Sequence, residues 1–134
     1  MYNYNVIQIK TRKRIEFFDI TQDIERIVSN SNIGEGIAVI FTKHTTTGLA
    51  INENERGLIS DMEKILKMLI PEGDYEHNRI DNNADSHLRS LILGQHVTLP
   101  VNNGKLELGT WQRVFLVELD GPRSRNIVVK VIEG

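Results

Sequence analysis

Three histidines, several carboxylates and two arginines fall in four polar clusters, each at the edge of an apolar segment. The clusters are His44-Thr-Thr-Thr-Gly-Leu-Ala-Ile-Asn-Glu53, Tyr75-Glu-His-Asn78, Asn82-Asn-Ala-Asp-Ser-His87, and Gly109-Thr-Trp-Gln112 with Glu118-Leu-Asp-Gly-Pro-Arg123. Neutral imidazole and carboxylate donate lone pairs to a metal, whereas guanidinium and oriented N–H groups receive anionic oxygens. The mixture therefore suits a metal ion or a phosphorylated ligand, and a hydrophobic core has no use for it.

His44, His77 and His87 stand in different clusters. Together they could form a facial set of imidazoles around Zn²⁺ or a related ion with water in an open position. They could equally serve as acid–base groups, since imidazole titrates near neutrality, and His44 alone could be a loop side chain bonded to backbone. Glu118 lies in the apolar run Val114-Phe-Leu-Val-Glu-Leu119, where a carboxylate must reach solvent or find a partner. A metal, a histidine or Arg123 could be that partner. Glu53 opens a helix, where capping explains an acidic residue as well as catalysis does.

Arg123 and Arg125 project to the same face if the chain is extended. Planar guanidinium grips phosphate through two hydrogen bonds, which lysine cannot do. Thr45 and Thr46 could add hydroxyls and amides to the same anion, with Gly48 permitting close approach. Trp111 could stack on a planar ring while Gln112 bonds its edge, although a tryptophan that begins a strand also makes a good core residue. His96, inside an alternating strand, reads as structural.

Those residues must be positioned by one domain spanning 1–134, because 134 residues with 40% hydrophobic content suffice for a single core. Sixteen basic against eighteen acidic residues give a net charge of −2, without the basic excess of a nucleic-acid footprint. The absence of cysteine excludes disulfides, thiolate zinc and a cysteine nucleophile. No apolar run approaches the ~20 residues needed to cross a bilayer, and the N-terminus alternates rather than forming a signal-peptide core. The expectation is a cytoplasmic protein without a membrane partner.

Alternation from Tyr4 to Ile9 and again at Ile15 and Phe17 predicts an opening hairpin across Lys10-Thr-Arg-Lys-Arg14. Ile20, Ile24, Ile27 and Val28 predict a helix capped by Thr21. Gly36 to Thr42 reads as an inner strand and Leu49 to Ile51 as a short one. A second helix follows, with Asn52 as cap, Glu55 closing a capping box, a stripe from Leu58 to Leu69 and a stop at Pro71. The polar segment 72–82 is an ordered loop with its own task. A third helix begins after Asn82 or Asn83 and ends at Gly94. Strands follow at His96 to Val101, Leu106 to Leu108, Trp111 to Leu119 and Asn126 to Ile132, with a tight turn at Asn103-Gly104. The pattern is α+β, a mostly antiparallel, curved or sandwich-like sheet with about three helices packed outside it.

No Gly-rich phosphate loop, His-Glu-x-x-His helix or Gly-x-Ser-x-Gly elbow is present. Instead His44-Thr-Thr-Thr-Gly, Asn52-Glu-Asn-Glu55, Tyr75-x-His77, Asn83-Ala-Asp-Ser-His87-Leu, Gly109-Thr-Trp-Gln112 and Glu118-Leu-Asp-Gly-Pro-Arg-Ser-Arg125 resemble the signature of the YjbQ-like family (UPF0047, also labelled secondary thiamine-phosphate synthase) over nearly the whole chain. That resemblance implies a YjbQ-like homotrimer with sites near subunit interfaces. It also implies a transferase joining hydroxymethylpyrimidine diphosphate to thiazole phosphate with release of pyrophosphate. In that reading a divalent cation, Zn or Mg, is held by His44, His77 and His87. Arg123 and Arg125, with Thr45, Thr46, Trp111 and Gln112, bind substrate, and His44, Glu53 or Glu118 takes a catalytic or orienting role. Two rivals use the same pocket: a metal-dependent hydrolase or lyase of another small phosphorylated metabolite, and a non-enzymatic trimeric metal- or metabolite-binding protein.

Overall fold

The computed structural model describes residues 1–134. Eight strands run in order as β1 (Tyr2–Lys10), β2 (Glu16–Asp19), β3 (Gly36–Thr42), β4 (Thr47–Asn52), β5 (His96–Asn102), β6 (Lys105–Leu106), β7 (Arg113–Glu118) and β8 (Ser124–Glu133). Three helices interrupt them: α1 (Thr21–Asn30), α2 (Arg56–Leu69) and α3 (Ala84–Leu93), with a 3₁₀ turn at Glu76–Arg79. All pairings are antiparallel, in a five-stranded sheet β1-β8-β3-β5-β6 and a three-stranded sheet β2-β7-β4. This is the expected α+β architecture, with two curled sheets. No helix is long and apolar enough to cross a membrane.

The main core lies between the sheets and under α1. It draws Ile7, Ile9, Ala38, Ile40, Val129 and Val131 from the larger sheet, Leu49, Val114 and Leu116 from the smaller, and Ile20, Ile24 and Val28 from around α1. A second cluster of Phe115, Val117 and Leu119 meets Leu66 of α2 on the other face of β7. Both faces of β7 are covered, which is why its sequence is a continuous apolar run instead of an alternation.

Several local expectations change. Residues Tyr4 to Phe17 do not form a hairpin: β1 pairs with β8, while β2 crosses to the other sheet and pairs with β7. Alternation specifies which face of a strand is apolar, not which strand it joins. Thr21 does not cap α1; Asp19 accepts its amide at 3.0 Å, and its hydroxyl accepts the Val114 amide at 2.8 Å. The cap of α2 falls on Glu55, whose carboxylate accepts the amides of Gly57 and Leu58. Asn52 instead accepts the amide of Glu53. A carboxylate exceeds an amide oxygen as an acceptor next to the positive end of a helix. The Asn103-Gly104 turn is present, with φ of 56° and 74°, and α3 stops at Gly94 as expected.

Candidate functional site

Inward-facing residues run Ile7, Ile9 and Thr11 along β1 and just past it, Ala38, Ile40 and Thr42 along β3, and Val114, Leu116 and Glu118 along β7. They run Val131, Val129, Ile127 and Arg125 back along β8. The period of two never breaks. Aliphatic side chains simply give way to polar ones at one end of the inter-sheet core, and that end carries the site.

Glu118 is fully buried and Arg125 is 4% exposed. The Glu118 carboxylate accepts from Arg125 Nε at 2.8 Å and from Arg125 Nη2, from Thr11 Oγ1 at 2.7 Å, and from the amides of Leu119 and Asp120 at 3.0 Å each. Burial pushes this carboxyl up, but the bonds from Arg125, Asp120 and Thr11 outweigh it and hold it below the ordinary value. Arg125 also donates to Thr46 Oγ1 at 2.8 Å. Its phosphate-binding fork is thus occupied, and the partner of Glu118 is Arg125 rather than Arg123, a histidine or a metal. Gly121 must lack a side chain here, because a Cβ would stand 2.1 Å from the Lys13 carbonyl and 2.8 Å from Glu118 Cγ.

Above the ion pair opens a cavity of about 380 Å³. Lys43, His44, Thr45 and Thr46 form one wall, Asp81, Asn83 and His87 another, and Asp120, Arg123 and Arg125 the floor. α3 is pinned to this place by Ser86, which donates to the Leu119 carbonyl, and by Ser90, which donates to that of Thr47. His87 consequently faces the His44 loop. The amides of Lys43, Thr45 and Thr46 make no hydrogen bond within the chain, while that of His44 between them donates to Thr42 Oγ1. Arg123 is half-exposed and donates to the Asp120 carbonyl at 2.9 Å and carboxylate at 3.0 Å.

The His44 Nε2 accepts the amide of Asn126 at 3.0 Å, so its proton is on Nδ1. Burial, and then the Arg125 charge, lower its pKa and keep it neutral against the opposing pull of Glu118. His77 packs edge to face on His87, ring centres 4.7 Å apart. Its Nε2 lies 3.1 Å from Asn83 Oδ1, while Asn83 Nδ2 donates to Asp120 at 2.8 Å. Because a carboxylate only accepts, Asn83 must present oxygen to His77, and His77 Nε2 carries the hydrogen. Asp120 and Asp85 are held in turn by Arg14, and Asp85 by Arg89.

The three-histidine metal set is not assembled in the chain. No three His, Asp or Glu side chains are grouped to hold an ion; His44 Nε2 accepts the Asn126 amide, whereas His77, which donates from Nε2, keeps Nδ1 free. Glu53, Trp111 and Gln112 lie elsewhere. β4 and β7 pair antiparallel from Thr47 opposite Glu118 to Asn52 opposite Arg113, so these three residues occupy the far end. There Glu53 and Trp111 line a second cavity of about 440 Å³ with Asp19, Asn54, Glu55, Thr110 and Arg113. Gln112 closes the Gly109-to-Gln112 turn by accepting the Gly109 amide at 2.8 Å. Trp111 is 70% exposed.

The structure brings His44, Thr45, Thr46, His87, Arg123 and Arg125 together with Asn83 and Asp120 of the same polar clusters, and adds Lys43 and Asp81 and, on Glu118, Thr11, which the sequence did not single out. The signal for Thr11 was available, since it continues the inward parity of Ile7 and Ile9. Asn83 and Asp120 are met only through tertiary contacts.

Comparison with known proteins agrees with this fold. The model of the UPF0047 protein YjbQ-like family matches residues 5–134. A UPF0047 protein of Archaeoglobus fulgidus is 47% identical, covering 94% of this chain and 98% of its own. The UPF0047 protein YugU of Bacillus subtilis is 37% identical, over 94% of this chain and 96% of its own. The crystal structure of a YbjQ-like protein of unknown function from Sulfolobus solfataricus superposes with a TM-score of 0.98 at 41% identity, covering 100% and 99% of the two chains. The chain belongs to the YjbQ-like UPF0047 family.

Proposed function

We propose that this chain binds a small phosphorylated metabolite in the cavity between the His44 loop and α3, and that the bound group is the phosphate. The observation that carries the reading is the pair of unpartnered amides at Thr45 and Thr46 beside Lys43 and Arg123. Unpartnered N–H groups and a half-exposed guanidinium suit a phosphate in hydrogen-bonding chemistry and charge. Arg125, tied to Glu118, supports the floor and adds its field. The His44 Nδ1–H has no partner within the chain and is a neutral donor for a further oxygen.

At the finer level we propose the transfer associated with the family. The thiazole nitrogen would attack the pyrimidine methylene, a C–N bond forming as the C–O bond to diphosphate breaks, and the electron pair would leave with pyrophosphate. Lys43, Arg123 and the turn amides would hold the leaving group, the type of electrostatic assistance that dominates such chemistry. The rival hydrolase reading, which needs metal-bound water, finds no ligand set in the chain. Binding without turnover is favoured by His44, whose basic nitrogen, Nε2, already accepts the Asn126 amide. Assembly as a homotrimer belongs to the same proposal. The exposed Tyr2, Tyr4, Val6, Ile37 and Phe41 of the larger sheet, and Met68, Leu69, Leu91 and Ile92 of the helices, are surfaces that subunit contacts would cover.

Calorimetric titration with pyrophosphate tests the binding step: saturable binding lost in Arg123→Ala supports it, and no binding overturns it. Incubation with both phosphorylated halves tests the reaction. Thiamine phosphate with stoichiometric pyrophosphate is the expected product; binding without product leaves the metabolite-binding reading.

A further inference from the structure

The charges around the cavity beside the His44 loop cancel in pairs until two are left. Glu118 faces Arg125, and Asp120 faces Arg123 at 3.0 Å with Arg14 behind it at 3.6 Å. Lys43 and Asp81, the remaining cation and carboxylate of the lining, enter no ion pair and no side-chain hydrogen bond, and both are exposed. Asp81 is nevertheless fixed in place. Its amide donates to the His77 carbonyl at 3.0 Å and its carbonyl accepts the Asn83 amide at 2.8 Å. The backbone that carries the free carboxylate is thus held between the 3₁₀ turn and α3, and Asn83 is itself buried and tied to Asp120.

A free carboxylate beside a phosphate site works against a ligand that is only an anion, because like charges brought together repel. The same group favours a ligand that carries a cation of its own. From this pairing of one free cation with one free carboxylate we propose that the cavity takes a zwitterion, a phosphate ester that also bears a protonated amine. The inference rests on the phosphate reading of the cavity and names the class of ligand within it. The phosphate sits on the Thr45 and Thr46 amides with Lys43 and Arg123, and the ammonium sits on Asp81. An ammonium has three donors and no acceptor, which suits a carboxylate whose oxygens are unused in the chain. Asp81 then sets specificity in both directions, attracting the amine and turning away phosphate compounds that lack one.

Calorimetry at neutral pH with O-phosphoethanolamine and ethyl phosphate isolates the amine, since the two share a phosphate on an ethyl stem. The wild-type chain should bind O-phosphoethanolamine about tenfold or more tightly. Asp81→Asn keeps the side-chain size and removes the charge, and it should move the two compounds in opposite directions: O-phosphoethanolamine binds more weakly, while ethyl phosphate and pyrophosphate bind more tightly. A residue with a merely structural role would weaken all three together. Because the Asp81 carboxylate is exposed and bonds to nothing in the chain, thermal unfolding of Asp81→Asn should match that of wild type. Equal affinities for the amine and its amine-free counterpart, or an Asp81→Asn chain that weakens both, overturns the zwitterion; if Arg123→Ala still abolishes that binding, the phosphate reading stands. No binding of any of the three compounds sinks the phosphate reading, and this proposal with it.

Discussion

Glu118 and Glu53 lie at opposite ends of the same strand pair and have opposite circumstances. Glu118 is buried, accepts five hydrogen bonds and faces a guanidinium. Glu53 is half-exposed, and its carboxylate bonds to nothing in the chain. The first end is tied into the core by its hydrogen bonds, and the carboxylate of the second is left to solvent. A carboxylate's role is thus set by the partners that the fold brings to it, and the same residue type can hold the core shut or stay with solvent.

The contrast breaks most severely at Glu118. Removal of one member of a buried pair leaves a charge without compensation, so Glu118→Ala should lose about 3–5 kcal/mol in denaturant unfolding. Arg125→Lys keeps the charge but loses the two-pronged geometry, and should cost about 1–3 kcal/mol. A smaller loss for Arg125→Lys than for Glu118→Ala is the expected order, and the reverse would contradict a strut built on this pair.

Acid should act on the same end. The folded Glu118 carboxyl is held below its ordinary value of 4.5. Its contribution is therefore fully present above that value and lost as pH falls through the lower folded value. Wild-type stability should fall with a steeper acid limb than that of Glu118→Gln, measured by urea midpoints across that range. Equal slopes would show that Glu118 does not carry the acid dependence.

Arg123 divides structure from binding. Half-exposed and paired only with Asp120, it should contribute about 1 kcal/mol or less to folding. Its charge-assisted bonds to a ligand are worth more, and Arg123→Ala should weaken pyrophosphate binding by about tenfold or more. Nitrogen shifts of labelled His44 should show the Nδ1–H tautomer persisting below the ordinary imidazole value of 6.5. The smallest effect is expected at Glu53, where Glu53→Gln should move stability by no more than about 0.5 kcal/mol. A large folding defect there would erase the contrast with Glu118.

Much of the fold was legible because it depends on local chemistry. The apolar stripe of α1, the alternation of β1 and β8, the Asn103-Gly104 turn and the Gly94 stop are properties of a few neighbouring residues. Pairing partners were not: nothing in Tyr4 to Phe17 says that β1 joins the last strand while β2 joins another sheet. The α2 stripe was visible too, yet Ile65, Met68 and Leu69 remain exposed, because an amphipathic pattern shows that a face is apolar without showing what covers it. At the site, residue types supplied the groups that would suit an anion. They could not reveal that Arg125 was already committed to Glu118, or that Trp111 stood at the far end of β4.

The sequence by itself determined the strand faces, the helices, the turn chemistry and the inventory of histidines, carboxylates and arginines, all of which rest on periodicity and residue type. Only the tertiary structure decided which of those groups meet. Hydrogen bonds and ion pairs act over about 3 Å, and contacts such as Thr11 with Glu118, His44 with Asn126 and Asn83 with Asp120 join residues far apart along the chain. Their geometry exists only once the two sheets have closed on one another.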